Sequence, residues 1–343
     1  MGGARSPPCR QMIAGLVAAA AALLLPLVYP SSFVLNVGPQ ILIMGIFAMS
    51  LNLLIGYAGM VSFGHAAYFG VGAYTLGILM QKTSVGLFPA LGLAVVVAAL
   101  AALVIGFFCV RLGTIYFSML TLAFAQIVYT IVIRWTALTG GDQGLIGGIA
   151  VPPIVLGPVS LAVRSPLTFY YLTLLAAMVA FAVAKVLVDS PWGLLLRAVR
   201  DNAHRVGFLG ASERGLRLAV FVAAGGFAGL AGALMALYVG GAYPDFVFWT
   251  KSSEPIFMVL IGGMNTLLGP LVGAAVLVTL TAFITQYTSL WGLVLGGILI
   301  AFTLFFKVGI LDFLVAAWRR TAWGRPPVAA TSAAARASSG EAP

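Results

Sequence analysis

Eight carboxylates, two histidines and eighteen lysines and arginines make up nearly all the charge chemistry of these 343 residues. The carboxylates are Asp142, Asp189, Asp201, Glu213, Asp245, Glu254, Asp312 and Glu341, and every one falls in an expected loop, a membrane edge or the tail. None sits mid-span, where proton- and sodium-coupled carriers place ionisable groups despite a cost of roughly 2.5–3.5 kcal/mol. Ion coupling is thereby weakened, although backbone carbonyls can also hold sodium. His65 and His204 lack a second ligand at i+4, and neither H-E-x-x-H nor G-x-S-x-G occurs, so a metal-dependent or serine hydrolase has no site. No Lys follows a Gly, so a G-x-x-x-x-G-K-[ST] phosphate cradle cannot be built and the chain does not bind and hydrolyse ATP by itself. Cys9 and Cys109 are too differently placed to form a disulfide framework.

The elements that must position the remaining candidates are apolar. Hydrophobic residues make up 62% and charged residues 8%, against a globular average of roughly 25% charged. With a mean hydropathy of +1.11 the chain cannot clothe a water-facing surface, so it reads as an all-α integral membrane protein. Ten-residue alternation is absent, which excludes an outer-membrane barrel. The net charge of +10 gathers at membrane edges and calls for the positive-inside rule rather than nucleic acid.

Hydropathy and turn signals predict helices at about 12–28, 38–56, 66–81, 86–109, 115–133, 167–188 and 218–241, then a long apolar tract at 255–307. The first is an uncleaved span, because Tyr29-Pro30-Ser31-Ser32 offers no small-x-small cleavage site. Six helices precede a loop at 189–217 that holds five arginines, so this loop and the basic N-terminus at 1–11 should both be cytoplasmic. A cytoplasmic tail at 309–343 then requires three crossings after Lys251, one of them short. About ten crossings result, within a range of eight to ten. The transmembrane domain covers 12–308, and from Pro326 the Ala/Ser/Pro-rich tail reads as disordered.

Two interruptions of the apolar pattern stand in the two halves, one at 56–65 and one at 261–265. Broken helices in corresponding places point to inverted repeats and a site between them. Candidate lining residues are Tyr57, Gly59, Met60, Ser62, Phe63, Gly64 and His65 with Gly262, Gly263, Met264 and Asn265. Irregular backbone there would offer amides and carbonyls to a polar solute, with Ser62 and Asn265 adding neutral groups, and the two joints are expected to meet near the membrane middle. The alternative is that the glycines only allow close helix packing and that His65 is a hydrogen-bonded joint histidine.

In the basic loop, Ser190-Pro191 looks like an N-cap followed by proline at N1, which predicts a helix to about His204. Arg197, Arg200 and His204 then share a face, Asp201 can pair with Arg197 and Arg205 at i±4, and Gly207 and Gly210 end the pattern. Such a helix could bind lipid headgroups, at about 1 kcal/mol per basic residue, or dock on a cytoplasmic protein through interleaved Leu194, Leu195, Leu196, Phe208 and Leu209. Gly225, Gly229 and Ala233, with Ala224, Ala228 and Gly232 alongside, form small-x-x-x-small stripes that fit either an intrachain contact or a subunit interface. The outer loop at 134–166 is too long for a mere connector and carries Gly140, Gly141, Asp142 and Gln143 as candidate contacts.

Three stretches resemble the M-type permease subunits of ABC importers for branched-chain amino acids: Leu51-Asn52-Leu53-Leu54 through Gly70, Arg197-Ala198-Val199-Arg200-Asp201-Asn202 on to Gly262-Gly263 and Leu268-Gly269-Pro270, and the Thr139-Gly140-Gly141-Asp142-Gln143-Gly144-Leu145 loop. The resemblance covers most of 40–307. It implies a bacterial inner-membrane permease that imports a branched-chain or other small apolar amino acid. Its implied partners are a homologous second permease, two ATP-binding cassette subunits that carry ATP and Mg, and a periplasmic or lipid-anchored binding protein, with membrane lipid around it. No cofactor is implied in this chain. Arg197, Arg200, Asp201, Asn202, His204, Arg205, Gly207, Leu209 and Gly210 would couple to the ATPase, though 207–212 departs from the usual wording of that loop. Gly140, Gly141, Asp142 and Gln143 would meet the binding protein. Relatives also import urea, amides and aromatic acids, and a stand-alone facilitator or ion-coupled carrier remains the alternative class.

Overall fold

The computed structural model describes residues 23, 26, 31–145, 154–156, 159–161, 165–208, 210–288, 290–305 and 309–311. Most of the expected first span at 12–28, Leu209, most of the tail and much of the 146–164 stretch lie outside the described residues.

Ten helices of ten or more residues order the described chain. Helix α1, Ser32–Asn52, continues as a π-helical turn, Leu53–Ala58. Then follow α2 (His65–Lys82), α3 (Leu87–Cys109), α4 (Thr114–Arg134), α5 (Pro166–Asp189), α6 (Pro191–Phe208), α7 (Glu213–Val239), α8 (Ser253–Gly262), α9 (Gly269–Tyr287) and α10 (Trp291–Phe305). Six of the helices are long and apolar enough to cross a membrane. The protein is therefore an all-α membrane protein, and the apolar tract after Lys251 divides into three helices, of which α8 has only 10 residues. Helix α1 starts earlier than the hydropathy suggests because the Ser31 hydroxyl accepts from Val34 N at 3.3 Å and caps it; the helix then runs through Pro39. A two-stranded hairpin, β1 (Ile154–Leu156) and β2 (Val159–Leu161), pairs antiparallel in the long connection before α5, around the sequence Gly157-Pro158.

Contacts sort the helix ends into two sets. At the α6 end, Arg200 reaches the Gly56 carbonyl, Arg197 Nη2 donates to Val188 O at 3.4 Å, and Gly106 of α3 packs beneath Leu218 and Phe221 of α7. At the far end, Tyr238 OH donates to Asn36 O at 3.1 Å, Lys82 Nζ to Ala137 O at 3.0 Å, and Leu145 N to Ala242 O at 2.8 Å.

The centre is held by aromatics and by glycine. Phe47, Phe69, Tyr68, Phe117 and Phe221 are fully buried, with Tyr68 and Phe117 edge-on to Phe221 at 5.4 and 5.5 Å. Gly225 and Gly229 of α7 sit on Ala102 and Ala98 of α3, and Gly232 sits on the Phe69 carbonyl of α2, where a Cβ would have no space. The small-residue stripes thus serve intrachain packing. The outward faces of α3 and α4, with Val104, Ile115 and Met119 more than 60% exposed, are as apolar as the core, as lipid contact demands.

Candidate translocation and coupling site

Two irregular segments enter the bundle from opposite ends. From the α6 end, residues 59–64 turn back inward until α2 begins at His65, which lies beside Ser50. Ser50 precedes Ala58 by eight residues, about 12 Å of helix, so α2 begins well below the bundle surface. From the far end, residues 240–252 run inward along α2: Ala242 lies against Gly77, Val247 against Gly70, and Ser252 Oγ accepts from Ala66 N at 2.9 Å. Helix α8 starts at Ser253, so the N-termini of α2 and α8 come together in the interior. Both present positive dipole ends there.

At the start of α8 the Lys251 ammonium pairs with the Glu254 carboxylate at 2.8 Å, so Glu254, expected in a loop or at a membrane edge, stands in the first turn of this inner helix. The side chains that α1 and α2 bring to the meeting point are neutral and tightly held. Ser50 Oγ donates to Phe47 O at 2.6 Å and lies 2.8 Å from His65 Nε2. A hydroxyl has one proton, so its oxygen accepts from Nε2–H and His65 Nδ1 keeps its lone pair. The imidazole stacks on Phe47 at 5.5 Å and meets the Tyr68 edge at 5.9 Å. His65 Nδ1 and Ser62 Oγ are buried without a hydrogen-bond partner. Helix α4 braces the inward segment, with Ser118 Oγ donating to Val61 O at 2.6 Å and the Gly64 backbone lying against the Thr121 carbonyl. Met60 is buried whereas Phe63 is exposed.

The joint at 262–265 does not reach this level. It meets the first joint at the α6 end, where a Cβ on Gly56 would strike the Met264 carbonyl and Asn52 Nδ2 donates to Thr266 O at 3.2 Å. Gly263 packs on Gly309, while Met264 and Asn265 are exposed. The two predicted joints are therefore brought together, but at one end of the bundle rather than halfway, because the π-turn carries α1 to Ala58 before the chain turns. Tyr57 and Gly59 belong to this end as well: Arg197 lies over the Tyr57 ring, 5.1 Å from its centroid, and a Cβ on Gly59 would be 3.0 Å from Arg200 Cγ.

Helix α6 starts as its sequence suggests, with Ser190 Oγ accepting from Gly193 N at 3.4 Å. It kinks at Asn202 (φ −161°, ψ 100°), so Arg197 and Arg200 face the bundle on the segment before the kink and His204 follows it. Among the described side chains Asp201 does not pair with Arg197 and lies 4.0 Å from Arg200 Nε. Arg205 lies past the kink, and only its backbone is described. Leu196, Val199 and Val206 are buried, whereas Leu194, Asp201, Asn202, Gly207, Phe208 and Gly210 face outward, Phe208 with 91% of its surface exposed.

At the far end, Gly140, Gly141 and Gly144 all take positive φ, which lets the chain turn tightly after α4 and leaves Asp142 and Gln143 exposed. Among the described residues no group of three or more His, Cys, Asp or Glu side chains could hold a metal ion. Ser50, Asn52, Ser252 and Thr266 escape sequence reasoning. The signal for the first two was present: polar residues two positions apart in an apolar helix.

Residues 33–303 match the family described as branched-chain amino acid transport system, permease component. The chain belongs to that family. The permease is 26% identical over 285 residues to the high-affinity branched-chain amino acid transport system permease protein LivM of Escherichia coli (strain K12), a match covering 78% of this chain and 67% of the relative. The corresponding LivM of Salmonella typhimurium is similar to the same extent. A probable LivM of Methanocaldococcus jannaschii is 25% identical over 279 residues, covering 71% of this chain and 78% of that one. No solved structure matches the permease. Its family is one of transport, not catalysis.

Proposed function

We propose that this permease is the membrane-spanning subunit of an ATP-driven importer and carries a branched-chain or other small apolar amino acid into the cytoplasm. The observation that carries the reading is the meeting of the α2 and α8 N-termini inside the bundle, reached by irregular backbone from both ends. Irregular backbone at that depth is tolerated where it is buried in protein or borders a water-filled path. Two positive helix ends, neutral Ser62 and His65 and the aromatic wall of Phe47 and Tyr68 fit a zwitterion with an apolar side chain, and the two charges at the α8 start, Lys251 and Glu254, are paired with each other.

The α6 end is cytoplasmic in this reading. It gathers Arg111, Arg197, Arg200, Arg205, Arg214 and Arg217, while the far end has Lys82 and Arg134. A homologous second permease completes the membrane unit, and two ATP-binding cassette subunits, which hold ATP and Mg, dock on α6. The exposed Phe208 and Leu194 are its apolar anchors. Asp142 and Gln143, on their glycine turn, face a periplasmic or lipid-anchored binding protein, which selects the solute.

Affinity purification of the permease from its native membrane, with copurifying chains identified by mass, tests the assembly. The expected result is a second permease and an ATP-binding cassette subunit in comparable amounts; recovery of the permease alone, with flux unaffected, would favour a stand-alone facilitator.

A further inference from the structure

The last carbonyls of a helix have no successor N–H in their own chain. At the end of α1, the N–H groups of Gly59 and Met60 both turn back to the Leu54 carbonyl, and Gly59 leaves the helix at φ 70°. The Gly56 carbonyl, in the middle of the π-turn, receives its donor from another element: Arg200 Nη1 of α6. The contact leaves little slack. A side chain on Gly59 would press on Arg200 Cγ, and one on Gly56 would strike both the Met264 carbonyl and Asn52 Oδ1. Arg197, on the same face of α6, lies over the Tyr57 ring in the same turn.

We infer that Arg200 caps the π-turn of α1 in trans, so that displacement of α6 unwinds the turn and releases the joint formed with 263–268. A guanidinium at a helix C-terminus satisfies a carbonyl and faces the negative end of the dipole, so removing it destabilises the last turn. Single π-turns inside α-helices recur at functional positions. The joint has a reason to change. Asn52 Oδ1 and Thr266 Oγ1 are buried there without partners, a penalty that a second arrangement of the turn would relieve. Arg200 is thus a positioning residue that links the cytoplasmic helix to the segment leading into Ser62 and His65, and the inference rests on the proposed docking of an ATPase on α6.

The test uses the assembled complex in proteoliposomes, with solute moved per ATP hydrolysed as the readout. Arg200→Met, which keeps the apolar stem and loses every donor, should lower this ratio at least fivefold, and Arg200→Lys, which retains a donor, should recover at least half of it. A ratio equal to wild type, including the case in which flux and hydrolysis fall together, would overturn the inference and leave Arg200 a docking contact only. Hydrogen exchange on the wild-type complex needs no variant: amides at 57–61 should exchange at least tenfold differently with and without nucleotide, and equal rates would overturn the inference even where a variant does not assemble. A wild-type complex with no nucleotide-dependent flux would instead remove the proposed function on which the inference stands.

Discussion

Ser50 spends its one proton on the Phe47 carbonyl, and this decides what His65 can do. Replacing it by alanine leaves the Nε2–H of a fully buried ring without an acceptor, a loss of about 1–3 kcal/mol. Thermal unfolding of Ser50→Ala in detergent should therefore show a clear fall, with an unchanged midpoint contradicting the assignment. Glycines give a sharper contrast. At Gly232 a Cβ would meet the Phe69 carbonyl, which cannot swing aside, so Gly232→Ala should destabilise by about 1–3 kcal/mol or more. At Gly226 the nearest atom is Val95 Cγ1 at 3.5 Å, and Gly226→Ala should stay within about 0.5 kcal/mol of wild type, as measured by the same unfolding. The two sites are indistinguishable in sequence, because both lie in one run of small residues and only the neighbours across the helix differ. His65 was legible as a candidate at a helix joint. Its partner was not, since Ser50 and His65 are fifteen positions apart on either side of a π-turn whose winding no periodicity announces.

Helix α6 has two faces with different duties. Leu196 is 1% exposed and packs into the bundle, so Leu196→Ala should cost about 2–5 kcal/mol of stability. Phe208 is bare, and Phe208→Ala should leave the unfolding midpoint of the isolated permease unchanged while weakening recovery of the ATPase subunit at least tenfold. Equal recovery would place the docking surface elsewhere. The start of this helix could be read from Ser190-Pro191, and the three helices after Lys251 from the charge balance of the loops. The kink at Asn202 could not, because Asp201-Asn202 lower helix propensity without fixing where, or whether, a helix bends. The inward course of 240–252 was also hidden. Its polar and aromatic composition, Tyr243 through Glu254, resembles an external loop, and the packing of Val247 on Gly70 with the hydrogen bond from Ala66 to Ser252 reveals its depth.

For the whole molecule, apolar faces on α3, α4 and α5 surround a centre in which two helix starts meet under two irregular segments. That order sets a far end bearing Asp142 and Gln143 opposite an α6 end rich in arginine, with the two helix starts between them. Asp142→Lys should abolish stimulation of transport by the binding protein without moving the unfolding midpoint; stimulation equal to wild type would make the 140–144 turn a structural lid. The central claim is that this permease moves its solute only as part of an ATP-driven assembly. Accumulation of radiolabelled leucine, isoleucine or valine in proteoliposomes measures it directly, with the permease alone and with its partner permease, ATPase subunits, binding protein and ATP supplied together. The account predicts uptake against a gradient only in the complete set, ceasing when ATP is withheld. Equal uptake by the permease alone, indifferent to ATP, would contradict it.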